Sequence, residues 1–428
     1  MEAWLQITIA LLLVCVAMYV IKFACDSFEP AADYLGTEVY NLGPGIRGAS
    51  IEAVASSLPE LFTTLFLLFG YHDEDGFAAG IATCAGSAIF NGAVIPAICI
   101  MAVTMKGVEG EKIEMVALQR STLVRDGAFF LAALVMFILF LNSSALSWWM
   151  GLCLMGLYVC YAIVLVMAPN AEEEDEGQGE EEGNAGGGDP EDAKGNPLTS
   201  EDDAEGETGG DETGGDDDDG EKRSCAVALV TFDMNALIFD GADFTASNAW
   251  VVLIASTVVI ALACYVLAES VMLSALGLGV EPYFTAVILG AAASSVPDTF
   301  LSYKDALKGD YDDAVANAIG SNIFDICFAL GFPLFLYGLI YGDVQMSEVG
   351  GSVSGGSDKE QGEIQSLQVM LMGATFLIMA TFLVTKTDAN EAGQTVHLVG
   401  KTQAGLLLSI YFGWTLIIIL QAAGVVSV

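Results

Sequence analysis

Ser56, Ser57 and Glu60 lie together in a long apolar stretch, and the same set returns in the second half of the chain as Ser294, Ser295 and Asp298. The full phrases are Ala55-Ser56-Ser57-Leu58-Pro59-Glu60 and Ala293-Ser294-Ser295-Val296-Pro297-Asp298. Each is followed by a second echo, Gly86-Ser87-Ala88-Ile89-Phe90-Asn91 and Gly320-Ser321-Asn322-Ile323-Phe324-Asp325. On a helix, positions three and four apart share a face. The spacing therefore puts Ser56 and Ser57 beside Glu60, Ser294 and Ser295 beside Asp298, Ser87 beside Asn91, and Ser321 beside Asp325. A carboxylate in an apolar span is costly and points to function. No Lys, Arg or His stands near these acids in their spans to neutralise them.

Pro59 and Pro297 lack an N–H, which frees the carbonyls of Ala55 and Ala293 for another partner. The expected set is three carboxylates, one amide, six hydroxyls and at least two carbonyls. Every donor is oxygen, which suits hard cations such as Ca2+ and Na+ rather than zinc or copper. Three acids in a low dielectric repel one another when empty. Such a site favours obligatory exchange, because crossing a membrane without cations or protons would be too costly.

Elements long enough to hold such residues in lipid are plentiful. The chain has 428 residues, is 54% hydrophobic and carries a net charge of −41. Those values require an apolar body and a separate polar tract. The acid-rich tract begins after residue 168 and cannot bury a core, so it is expected to be disordered. The predicted fold is an all-α membrane protein of about ten spans, near 3–24, 48–70, 77–104, 122–142, 145–168, 249–270, 283–305, 313–341, 366–386 and 403–425. The expected units are a first repeat at 1–168 (motif 55–91), a linker at 169–248 and a second repeat at 249–428 (motif 293–325). Five spans is an odd number, so the second set enters the bilayer from the opposite side. That is an inverted repeat, with its site between the halves. With the N-terminus outside, thirteen of the 14 Lys and Arg residues fall in inner connections and only Lys359 falls outside. The bias places the acidic linker in the cytoplasm.

Other polar positions have plainer readings. Arg125-Asp126 reads as a structural ion pair. Glu52 could line an inner vestibule or sit at the interface beside Arg47. Glu269 reads as interfacial, and His72 and His397 as solvent-facing. The segment 225–244 is compatible with an interfacial helix or a short strand. The cysteines mostly fall in apolar runs and suggest neither a disulfide framework nor a zinc site.

The paired motifs resemble the cation/calcium antiporter superfamily, with its G-[ST]-S-x-P-[ED] and G-S-x-x-x-[ND] patterns, over everything but the linker. Cys25-Asp26-Ser27-Phe28-Glu29-Pro30 resembles the potassium-dependent sodium/calcium exchanger branch. The resemblance implies electrogenic exchange of several Na+ for one Ca2+ by alternating access. It implies Glu60 and Asp298 as central ligands, Ser56, Ser57, Ser87, Ser294, Ser295 and Ser321 as oxygen donors, and Asn91 and Asp325 at flanking positions. Asp325 matches the acid associated with K+ dependence, although some K+-independent relatives share it. Ala55 and Ala293 replace the family's glycines. The first half also has four more residues between its two motifs than the second.

The expectation is a plasma-membrane antiporter, not an enzyme, with no cofactor and with Ca2+ and Na+ as cargo; K+ or H+ participation stays open. Its one expected partner is the lipid bilayer; nucleic acid is not expected, and no protein partner can be inferred. A proton-coupled exchanger ranks second, because the chain lacks the His that commonly follows the motif acid in that branch. A membrane-anchored Ca2+ buffer acting through the acidic linker is the rival from another class.

Overall fold

The computed structural model describes residues 3–41, 53–71, 74–108, 112–167, 225–345, 359–389 and 393–425. Glu52, Arg47, His72 and the acid-rich run at 169–224 lie outside the described residues. The first repeat is α1 (Ala3–Tyr34, continued by a π-turn at Leu35–Val39), α2 (Ala53–Tyr71), α3 (Glu74–Lys106), α4 (Arg120–Leu141) and α5 (Trp148–Met167). Two short helices follow, α6 (Cys225–Val230) and α7 (Met234–Phe239). The second repeat is α8 (Ala246–Leu278), α9 (Pro282–Ser294), α10 (Val296–Lys308), α11 (Tyr311–Phe324), α12 (Gly331–Tyr341), α13 (Lys359–Leu383) and α14 (Lys401–Ala422).

Among the described residues, 8 helices are long and apolar enough to cross a membrane. The α9–α10 pair, bent by 42°, is apolar and long enough for a ninth if its two helices are taken as one span, and α13 supplies a shorter apolar helix over Gln368–Leu383. Burial separates the roles. The α3 and α11–α12 spans each have 61% of their apolar window buried, whereas α5 and α14 have 22%. The site-bearing helices are thus the inner ones. The others turn side chains such as Leu139, Leu262 and Phe376 outward, as lipid-facing helices do. The opening helices of the two repeats, α1 and α8, pack along each other, and α3 touches α2, α9, α10, α11 and α14.

The chain is not wholly α-helical. Strands β1 (Met115–Gln119), β4 (Lys386–Ala389) and β5 (Thr395–Gly400) form an antiparallel sheet in the order β1-β5-β4. At the other end β2 (Ala145–Leu146) pairs with β3 (Val344–Gln345). The short polar connections conceal these strands, because their backbone groups find partners only across the fold. Each sheet joins connections that the span count places on one side, as an inverted repeat requires.

Residues 225–230 and 234–239 form two short helices joined by a turn, which excludes the strand alternative. Asp233 caps α7 by accepting from Ala236 N at 3.0 Å. The pair docks on α1, with Met234 N donating to Ser27 Oγ at 2.9 Å and Tyr19 Oη donating to the Val230 carbonyl at 2.9 Å. Met234 joins Ala31, Leu35, Ala249 and Val252 in a small core of their own. Thr245 and Asn248 then form a capping box that starts α8. The end of the expected linker is therefore part of the folded body.

His397 is also corrected. It is buried in β5, at 4% exposure, with Nδ1 3.1 Å from Thr385 Oγ1. Burial, and then the charge of Arg120, hold its imidazole below the usual histidine range. The unfolded chain binds the extra proton more readily, so this term is constant above the unfolded pKa and costs stability as pH falls below it. Thermal unfolding between pH 7.5 and 5 is expected to show a destabilisation that His397→Gln reduces. An identical pH slope in the variant would contradict that assignment.

Candidate functional site

The four motif stretches meet at the contact between the repeats. Ser56, Ser57, Glu60, Ser87, Asn91, Ser294, Ser295, Asp298, Ser321 and Asp325 are all buried, none more than 3% exposed. Ala55 and Ala293 are buried beside them. The acid of each repeat is held by serines of the other. Ser295 Oγ donates to Glu60 Oε1 at 3.1 Å, and Ser294 also bonds Glu60. In mirror fashion Ser56 bonds Asp298. Asp298 further accepts from Ser321 Oγ at 2.9 Å and Asn91 Nδ2 at 3.2 Å. Ser87 Oγ donates to Asp325 Oδ2 at 2.6 Å and accepts from Asn91 Nδ2 at 3.2 Å.

Proton counting separates the acids. Ser87 and Ser295 lie 2.9 Å apart, oxygen to oxygen. Each hydroxyl has one proton. With the Ser87 proton directed at Asp325, the Ser295 proton cannot serve both Ser87 and Glu60. Asp298 is well supplied with donors, whereas Glu60 Oε2 and Asp325 Oδ1 are buried without a partner. Ser57 Oγ and Asn91 Oδ1 are in the same condition. Unpartnered buried carboxylate oxygens are costly. These oxygens match the donor set of a hard cation, with hydroxyls and an amide beside them. Among the described residues no three acidic, His or Cys side chains close on one point. The acids are joined through Ser87, Ser295 and Asn91 instead, which keeps like charges apart.

The two copies differ in backbone. Helix α2 runs unbroken through Ser57 and Pro59. In the second copy the helix breaks at Ser295, and Pro297 falls in the first turn of α10. Proline is at home there, since its missing N–H would be unbonded anyway. The expectation of a proline inside a continuous helix thus holds for Pro59 and not for Pro297. Asp325 opens a π-turn, Asp325–Ala329, with Leu330 N bonded to the Asp325 carbonyl at 3.0 Å. Its counterpart Asn91 lies in regular α-helix. Single π-turns inside helices recur at functional sites.

Ser294 shows the local behaviour common for helical serines, with its hydroxyl also 3.2 Å from the Ala291 carbonyl. Arg125 and Asp126 form the expected ion pair, at 2.7 Å. Glu269 is exposed and accepts from Tyr71 Oη at 2.9 Å. Three polar residues near the motifs escaped the sequence reading. Thr63 and Thr64 are buried, with Thr64 Oγ1 3.2 Å from Cys84 Sγ. Asn322 is buried with both amide atoms unpartnered. The signal was present, since Thr63 and Thr64 stand three and four residues after Glu60.

Two inverted helical repeats with buried carboxylates, hydroxyls and an amide at their contact define a polytopic membrane protein of the inverted-repeat transporter class. The chain belongs to the sodium/calcium exchanger protein family, which matches residues 9–167 and 248–420. The human sodium/potassium/calcium exchanger 2 is 30% identical over 145 residues, 34% of this chain and 20% of that protein. The alignment therefore spans about a fifth of that relative's length. Among solved structures, the H+/Ca2+ exchanger CAX aligns with 99% of this chain and 87% of its own at a TM-score of 0.56 and 13% identity. YfkE aligns with 97% of this chain and 93% of its own at 0.51 and 13%. At such identities these two show the fold alone.

Proposed function

We propose that the chain is a secondary antiporter that exchanges Na+ for Ca2+ by alternating access at the Glu60–Asp298 site. The observation that carries this reading is the cross-bracing of each repeat's acid by the other repeat's serines, with carboxylate oxygens left over. A cation bound there touches both repeats at once, so its arrival and departure are felt at the contact that must rearrange. The donors are Glu60, Asp298, Asp325 and Asn91, with Ser56, Ser57, Ser87, Ser294, Ser295 and Ser321 and the carbonyls of Ala55 and Ala293. Sodium drives the cycle because its gradient and the membrane potential act on the same inward charge, about 2.3 kcal/mol per charge per 100 mV. The Lys and Arg bias supports an outside N-terminus and a cytoplasmic acidic run. Similarity to the sodium/potassium/calcium exchangers and the acid at Asp325 support K+ as a co-transported ion.

The test is 45Ca2+ uptake into proteoliposomes. Uptake is expected when an outward Na+ gradient is imposed, with stimulation by K+. A proton gradient without sodium is expected to give none. Uptake driven by protons alone would replace this reading with proton coupling.

A further inference from the structure

A small cleft, open at its mouth, lies between α1, α2 and α10. Its walls carry Asp26 and Glu29 from α1, Ser56 from α2, and Pro297 and Lys304 from α10. The mouth is wet, since the side chains of Lys304 and Asp26 are 48% and 30% exposed. Ser56, 3% exposed, is among its buried lining and also bonds Asp298. One residue layer therefore separates the cleft from the central oxygens. The cleft opens at the end that carries the β1-β5-β4 sheet, where Lys106 at the end of α3 also donates to Tyr303 Oη at 2.6 Å.

Asp26 stands between two ammonium groups. Lys22 is its ion-pair partner on the same helix, with Nζ also 4.0 Å from the centre of the Phe23 ring. Lys304 reaches Asp26 across the cleft, Nζ to Oδ1 3.4 Å. That bond is the longer of the two, and Lys304 is more exposed than Lys22, whose side chain is 19% exposed. Lysine is a compact point charge on a flexible stem, so its head can leave a carboxylate when another cation takes its place.

We propose that this cleft is the route by which hard cations reach the central site from the sheet end, and that Lys304 is a tethered counter-cation which the arriving ion displaces from Asp26. Asp26 and Glu29 draw cations into the mouth, and Lys304 competes with them. The inference rests on the exchange reading for its kinetic arm only.

Side-specific kinetics test it, using inside-out and right-side-out vesicles bearing the full chain. Lys304→Gln is expected to lower the KM for Ca2+ at the sheet end about threefold, the size of a partly exposed charge pair. It should leave the maximal rate and the opposite-side KM unchanged, and Lys304→Arg should behave as wild type. Glu29→Gln should raise the KM at the sheet end alone. An unchanged KM in Lys304→Gln, or equal changes on both sides, would overturn the proposal and leave a mere staple between α1 and α10. A second arm needs no transport. In Glu29→Cys, labelling above the wild-type background should be faster with a cationic than with an anionic thiol reagent, from the sheet end only, and faster still when combined with Lys304→Gln. If wild type fails to exchange but labelling follows this pattern, the exchange reading fails and the access route stands. Labelling with no charge or side preference would sink the route itself.

Discussion

Glu60→Gln is expected to lower Na+-driven Ca2+ uptake by more than about a hundredfold while leaving the protein folded. The change is nearly isosteric, so the helix and its packing are kept. What is lost is the charge, together with an acceptor oxygen that has no donor, Glu60 Oε2. The new amide places an N–H2 group or a neutral carbonyl where a cation needs an anion. Loss of groups that merely orient ligands already costs about 10–100-fold in metal affinity, and the proposed role puts Glu60 closer to the ion than those. Asp298 offers a milder contrast, because Ser321 and Asn91 already saturate part of its acceptor capacity. A readout independent of transport is available. A ligand at a hundred times its Kd stabilises the folded state by about 2.7 kcal/mol. Wild type should therefore gain thermal stability from Ca2+, and Glu60→Gln should not. A variant with normal uptake, or one that keeps the full Ca2+ shift, would remove Glu60 from the site.

The parts of this fold that are local in sequence were legible. Apolar runs fix the spans because a backbone in lipid must satisfy itself within the helix. The repeated acids stand out because nothing nearby in sequence neutralises them. The repeat also points to the candidate site, since two inverted halves must meet where their copies face. What escaped is nonlocal. The strand at Thr395–Gly400 exists because Met115–Gln119 lies beside it, and no periodicity announces six residues of such a sheet. His397 went from an expected solvent position to a buried one for the same reason. The break at Ser295 was hidden as well. Its phrase differs from the unbroken copy chiefly by Val296 for Leu58 and Asp298 for Glu60, and packing decides which copy bends. The serine cross-bracing was legible as a set of donors but not as a pattern of exchange between halves. Helical spacing alone pairs Ser294 and Ser295 with Asp298, yet Glu60 receives them.

That inequality between copies is sharpest at the two motif glycines, and Gly86→Ala and Gly320→Ala are expected to diverge widely. A Cβ on Gly86 would lie 2.1 Å from the Val287 carbonyl oxygen and 2.7 Å from Ala291 Cβ. Both belong to α9, whose π-turn spans Ala286–Gly290 and presents that carbonyl to α3. No rotamer relieves the clash, since backbone opposes backbone. The helices must separate, at a cost of about 3 kcal/mol, the upper end of ordinary overpacking. Separation also moves the neighbouring Ser87, whose oxygen joins Asp325 to Ser295 within 2.9 Å. Gly86→Ala should thus unfold at a distinctly lower temperature in detergent and lose transport even where it is folded. At Gly320 the nearest atom to a new Cβ is Tyr161 Oη, at 3.4 Å, an ordinary van der Waals distance that asks no neighbour to move. Gly320→Ala should stay within about 0.5 kcal/mol of wild type and keep its uptake. The same letter in the same motif is therefore a packing requirement in one repeat and close to a free position in the other. Equal destabilisation by the two substitutions would show that both repeats impose the close approach, and would contradict the contact between α3 and α9 described above.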